Sequence, residues 1–318
     1  MCKDSSKNTT SNLPLISWVS LSISLLVIVY LFGFYDAFVQ GRQSAVVWLE
    51  SAWNPETDYE HGWMVPLLAA FMLRQAWLTC KQIPKAPSLH GLWMIALGAL
   101  LCVLAVRTQQ GRVAIGALPF LLSGLIWSYW GFRTFIRCAF PCFFLWLSIP
   151  LPGFQQATVG LQLIATDIAH WGASLCGVQT IVDGTNISSA TGNWDTYSVA
   201  GGCSGIRSLM ALIMISTAWG YLAFNLAIWK RVTLALSAIP LAIFANSFRV
   251  ASIFICAEYI NPAFAGKTWH DWSGMLFFFP ISMLCLIILH GLLAGEIPFL
   301  KKHQVIVRSN NTPNSPQA

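Results

Sequence analysis

Three residues in this 318-residue chain carry side chains suited to covalent chemistry, and each stands at the end of a long apolar segment: Cys203, Arg249 and His270. A thiol can attack a carbonyl, a guanidinium can hold the oxyanion that results, and an imidazole can move protons near neutral pH. The charges of the connecting loops place the three segment ends on one side of a membrane. The three chemistries therefore converge on one face.

Cys203 lies in Gly201-Gly-Cys-Ser-Gly-Ile-Arg-Ser208, which leads into an apolar segment. The glycines permit a tight turn and close backbone approach. At or near a helix N-terminus, unpaired N–H groups and the helix dipole favour a thiolate, and Arg207, one turn on, favours it further. The competing reading is a structural cysteine, bridged to Cys176. Arg249 sits in Ala245-Asn-Ser-Phe-Arg-Val250, where an arginine costs roughly 2.5–3.5 kcal/mol at mid-membrane and less near an interface. By depth it falls in the outer leaflet, and Asn246 is placed to orient its guanidinium; snorkelling to headgroups is the rival account. His270, in Trp269-His-Asp-Trp-Ser-Gly274, comes just before the last apolar segment, with Asp271 beside it. A lone interfacial histidine is ordinarily just solvated, but a thiol nucleophile needs two companions of these kinds. His61, in Glu60-His-Gly-Trp-Met-Val-Pro66, either supports such a site or packs at the interface. Asp167 and His170 make at most half a metal site. No metal and no organic cofactor is expected.

The chain that positions these groups is 56% hydrophobic and 9% charged, with a mean hydropathy of +0.63. Soluble domains carry about 25% charged residues, so an all-α polytopic membrane protein is expected. The net charge of +6 is gathered in short loops without a basic, aromatic-interleaved stripe, which excludes nucleic acid and fits orientation charges. Spans are expected at 13–33, 63–80, 91–107, 113–132, 135–152, 204–228, 232–257 and 274–297. The first lacks a small-residue cleavage site and reads as an anchor.

Loops with Lys3 and Lys7, Arg74 to Lys85, Arg133 and Arg137, Lys230 and Arg231, and Lys301 to Arg308 are assigned to the cytoplasm. The acidic 34–62 loop is assigned outside, and Arg107 and Arg112 break the rule. Eight spans with both termini inside result. Residues 155–177 are long enough to span, but the stripe Thr158, Gln162, Thr166 and His170 favours a helix at the outer interface, which keeps the later topology intact. Residues 180–199 alternate β-branched and polar types around turn signals and read as a small extracytoplasmic β-hairpin. Of the nine cysteines, Cys80, Cys102, Cys138, Cys142, Cys256 and Cys285 read as apolar packing. Residues 1–308 form one integral-membrane unit, and 309–318 a polar disordered tail.

Several stretches together resemble the exosortase/archaeosortase family of membrane transpeptidases. These are Asn54-Pro with Tyr59-Glu-His-Gly-Trp-Met-Val-Pro66, the proline-marked Phe140–Pro152 segment, Gly177-Val-Gln-Thr with Asp183-Gly-Thr-Asn-Ile187, and above all the ordered set Cys203-Ser-Gly-Ile-Arg207, Asn246-Ser-Phe-Arg249 and His270-Asp-Trp-Ser-Gly274. Glu60 departs from the small polar residue more usual before His-Gly. The resemblance implies Cys203 as nucleophile, Arg249 as transition-state partner and His270 as acid/base group. It also implies substrates that are exported proteins with a C-terminal sorting signal (motif, transmembrane helix, basic tail), an amine acceptor such as a lipid or envelope glycan, and a place in the bacterial cytoplasmic membrane with the site facing outward.

Three other classes compete with that expectation. A transporter using Arg249 and Asp167 would show midplane polar residues and an inverted repeat, and neither is evident. An envelope-assembly scaffold would make Cys203 structural. A membrane acyltransferase would share the Cys or His centre but act on a lipid.

Overall fold

The computed structural model describes residues 15–153, 156, 159–198 and 206–295. Their helices are α1 (Leu15–Gly33), α2 (Ala45–Ser51), α3 (Met64–Cys80), α4 (Gly91–Thr108), α5 (Gly111–Trp130), α6 (Phe132–Phe144), α7 (Val159–Leu175), α8 (Ile206–Leu222), α9 (Ile228–Leu236) and α10 (Ala238–Tyr259). Pro262–Ala294 forms one further helical run, α11. A three-stranded antiparallel sheet, β1 (Thr180–Asp183), β2 (Asn186–Ser189) and β3 (Tyr197–Ser198), fills the place of the expected hairpin. The protein is an all-α polytopic membrane protein with this small sheet as its β component. Residues 1–14 and 296–318, with their expected basic loops and tail, lie outside the described residues.

Among the described residues, six helical runs are long and apolar enough to cross a bilayer: Leu15–Gly33, Glu60–Cys80, Gly91–Thr108, Gly111–Trp130, Ile228–Tyr259 and Pro262–Ala294. The expected spans at 135–152 and 204–228 are present as shorter helices. α6 continues as a 3-10 turn over Leu145–Ser148 and stops there, with Ile149 extended, because Pro150 and Pro152 disfavour helical geometry in the residues before them. α8 ends at Leu222, and the following span starts at Ile228 instead of 232. Small residues allow the tightest packing in the bundle. A Cβ on Gly98 of α4 would stand 2.7 Å from Leu121 of α5, and one on Gly124 would stand 2.6 Å from Ile95. Such close approach is what drives helix association in lipid.

Two sets of contacts define the two ends of the bundle. At one end Arg137 donates to the Thr79 carbonyl, Tyr221 to the Arg137 carbonyl, Arg231 to the Gly220 and Tyr221 carbonyls, and Lys230 to the Leu293 carbonyl. These cations satisfy carbonyls left open at helix C-termini. At the other end Trp53 donates to the Ser148 carbonyl, the Leu151 amide donates to the Tyr59 hydroxyl, and Arg112 donates to the Pro150 carbonyl. Of the loops assigned by charge to one side, those with Arg137, Lys230 and Arg231 thus meet at one end, and Arg112 joins the opposite end, as the alternation of spans requires.

α7 does not change the side of the chain. Leu151 before it is held by Tyr59, and Cys176 after it accepts from Tyr259 at the end of α10. It runs alongside α10 in the same direction: Ser247 donates to the Ala165 carbonyl, while Ala169 and Ala173 pack with Val250, Ala251, Phe254 and Ala257. Its stripe residues Gln162 and Thr166 are buried in the protein, and Leu163, Ile164, Trp171 and Leu175 face outward.

Candidate active site

The Ile228–Tyr259 and Pro262–Ala294 runs have 32 and 33 residues, or about 50 Å each at ~1.5 Å per residue. The hydrocarbon core is only about 30 Å thick. Both runs are thus longer than a span needs, the first being α9 and α10 joined at Ser237, and the sheet is fixed to the end where the two runs meet. Glu258 accepts from Thr191 (3.3 Å), Asn193 (2.6 Å) and the Trp194 indole (2.9 Å), while Trp194 stacks on Phe254 with centroids 5.4 Å apart. Arg249 and His270 stand below this cap, one on each of the two overlong helices.

Arg249 is 9% exposed. Its Nε donates to Ser273 Oγ at 3.3 Å and its Nη2 to the His270 carbonyl at 3.1 Å. Ser273 Oγ donates to the same carbonyl at 3.0 Å. A second tie lies one turn away, where Trp269 Nε1 donates to Ser252 Oγ, which donates to the Arg249 carbonyl. A buried guanidinium needs its N–H groups satisfied, and here the partners come from the helix that carries His270. Snorkelling does not describe this side chain.

His270 is inside a helix, whereas the sequence placed it just ahead of the last span. It opens a four-residue α-helical piece, His270–Ser273, between two π-helical turns, Ala265–Trp269 and Gly274–Phe278. A π turn widens the helix and shifts its hydrogen-bond ladder, a rare feature that gathers at functional sites. That widening is how a carbonyl within a helix can accept from a side chain on another one. The His270 ring is partly accessible, with its Nδ1 3.2 Å from Asp271 Oδ1; the Asp271 side chain is 74% exposed. Adjacent residues do meet here, and solvent screens their interaction.

Cys203 lies outside the described residues, as do its neighbours Gly201 to Gly205. The helix it precedes is in place. Arg207, in the first turn of α8, pairs with Glu60 (3.0 Å) and Asp58 (3.6 Å). These pairs tie the start of α8 to the segment before α3. Leu209 packs in one cluster with Ala242 and Ala245 of α10, which sets the start of α8 beside the stretch holding Asn246 and Arg249. Asn246 is itself buried on α10. Ser273, to which the sequence alone assigns no role, supplies an orienting contact to the guanidinium.

His61 is buried and stacked on Tyr59, with centroids 5.4 Å apart, and neither ring nitrogen has a hydrogen-bond partner among the described residues. Burial pushes the Tyr59 hydroxyl above its usual range against the opposing effects of the Leu151 amide and Arg112. Gly62 is needed because a Cβ there would fall 2.2 Å from the Trp53 ring. Asn54 Oδ1 accepts from the Thr57 amide and shapes the turn between them. The Trp53–Pro66 and Phe140–Pro152 stretches are therefore one packed unit. His170 bonds Thr180 Oγ1 at 2.5 Å, Asp167 is exposed, and no group of three metal-ligating side chains occurs among the described residues. Cys176 is an exposed free thiol, and Cys80, Cys138 and Cys142 pack together in a buried cluster.

Fold and site together define a multi-pass membrane protein with a buried, hydrogen-bonded arginine near a small three-stranded sheet. The family model for transmembrane exosortases (Exosortase_EpsH) matches residues 53–288, and the chain belongs to that family. No curated protein and no solved structure matches it.

Proposed function

We propose that the protein is a membrane cysteine protease/transpeptidase that removes C-terminal sorting signals from exported proteins and passes them to an amine acceptor. The observation that carries this reading is the pairing of Arg249 with His270 across two helices, in a family whose match includes the Cys203 segment.

In this account the substrate's own helix docks beside the bundle, at the outer face of the bacterial cytoplasmic membrane. Cys203 gives its proton to the His270 imidazole and attacks the scissile carbonyl. The tetrahedral oxyanion is held by Arg249, whose two bonds within the protein use two of its five N–H groups. Collapse breaks the C–N bond, His270 protonates the leaving amine, and a thioester remains on Cys203. An amine, or water in its absence, then attacks the thioester and releases the thiol. Asp271 steadies the imidazole, Ser273 and Asn246 support the arginine, and His61 and Arg207 fix the wall beside α8.

The test is co-expression of a candidate sorting-signal protein with wild type or Cys203→Ala. Loss of the substrate's C-terminal helix with wild type alone supports the reading, and the added mass identifies the acceptor. Identical substrate in both, with both enzymes folded, overturns it.

A further inference from the structure

We propose that the end of the bundle opposite the candidate site binds the phosphate headgroup of an anionic membrane lipid, through Lys81, Lys85, Arg133 and Arg137. Two open clefts meet there at Ile83. One, about 400 Å³, is lined by Arg133 and Arg137 with Ile83, Pro84 and Ile136. The other, about 250 Å³, is lined by Lys81 and Lys85 with Trp18, Trp77 and Trp130.

Among the described residues, none of the four cations is paired with a carboxylate. No Asp or Glu occurs between His61 and Thr166. Among the described residues the carboxylate ion pairs belong to Arg207 and His270. Arg137 uses one nitrogen on the Thr79 carbonyl and is otherwise exposed with Arg133 and Lys81. Four like charges around one connection repel each other, and an anion seated among them relieves that repulsion.

The walls select a lipid over a free ion. Trp18 and Trp77 both stand edge-on to Trp130, with centroids 6.4 Å and 4.9 Å away. Amphipathic rings at the end of a bundle suit the glycerol level of a leaflet, and Ile83, Pro84 and Ile136 offer apolar surface to the first acyl carbons. Free phosphate gains nothing from either wall, and a basic peptide is repelled. Basic pockets between spanning helices are a known headgroup-binding geometry.

Native mass spectrometry of the full chain tests this, with dioleoylphosphatidylglycerol, dioleoylphosphatidylcholine and glycerol 3-phosphate as separate probes. Phosphatidylglycerol is expected to be retained and the other two lost. Lys81→Gln with Arg133→Gln is expected to weaken retention ~25-fold, about five-fold per charge, while Arg42→Gln with Arg107→Gln at the opposite end leaves it unchanged. Should the first pair fail to fold, Lys85→Gln alone is expected to cost about five-fold. Equal retention by the charge variants, equal retention of phosphatidylcholine, or equally tight glycerol 3-phosphate would each overturn the proposal.

Discussion

Arg249 donates a hydrogen bond to the backbone carbonyl of His270, 21 residues further along the chain, at 3.1 Å. The bond joins two helices at the level where they leave the bundle, and it couples the position of the guanidinium to that of the imidazole's own residue. Disturbing either helix there displaces both groups.

Arg249→Lys keeps the charge but loses the planar fork that reaches Ser273 and the carbonyl together. If the arginine holds the oxyanion, loss of that donor lowers substrate conversion by about 10²–10³. Single-turnover conversion of a sorting-signal substrate measures it, and a rate within a few-fold of wild type would remove Arg249 from the chemistry.

Ser273→Ala removes an acceptor for Arg249 Nε and a donor to the His270 carbonyl, both inside the protein. Stability should fall by about 1–3 kcal/mol, the cost of leaving a buried polar group short of a partner. Conversion should fall with it because the guanidinium loses a fixed direction. Unfolding in detergent and conversion rate are the two readouts.

Glu258→Gln should loosen the cap without unfolding the bundle. The carboxylate gathers donors from Thr191, Asn193 and Trp194, and charge-assisted bonds contribute about 1.5–3 kcal/mol each. Hydrogen exchange is expected to rise across 186–198 and to stay constant in α3 to α6.

Gly62→Ala would set a Cβ 2.2 Å from Trp53 Cδ1, and overpacking of this kind costs about 1–3 kcal/mol. Trp53→Leu opens the space, so the double variant should lose less than the two single losses added together. A thermal-melt double-mutant cycle tests the contact.

Much of this was legible in the sequence because its signals are long. A bilayer needs some twenty apolar residues per span, and loop cations sort by side, so the helices and the grouping of their ends could be read from segments such as Leu15–Gly33 and from Lys81, Arg133 and Lys230. The alternation in 180–199 likewise gave the sheet, although the third strand is only Tyr197–Ser198. Three features were out of reach. The π turns around His270 leave no hydrophobic-period signal that distinguishes them from a helix start, so periodicity alone puts the histidine ahead of the span. Pairing of Arg207 with Asp58 and Glu60 joins residues some 150 positions apart, and nothing local announces it. The role of Ser273 also depends on a partner on another helix; its place in the motif was the sole hint.

Arg207 supplies a sharp contrast between charge and position. Half exposed and paired with two carboxylates, it should contribute about 1 kcal/mol or less to stability, and less again at high salt. Arg207→Gln should therefore slow alkylation of Cys203 by less than ~10-fold. A larger drop would restore the arginine as the main stabiliser of the thiolate.

The most direct test of the central claim is the intact mass of the enzyme itself after mixing with a sorting-signal substrate and rapid acid quench. The account predicts an adduct on Cys203 equal to the substrate's N-terminal portion, released by neutral hydroxylamine as a thioester and absent from Cys203→Ala. Cleavage of the substrate by Cys203→Ala at the wild-type rate would contradict it.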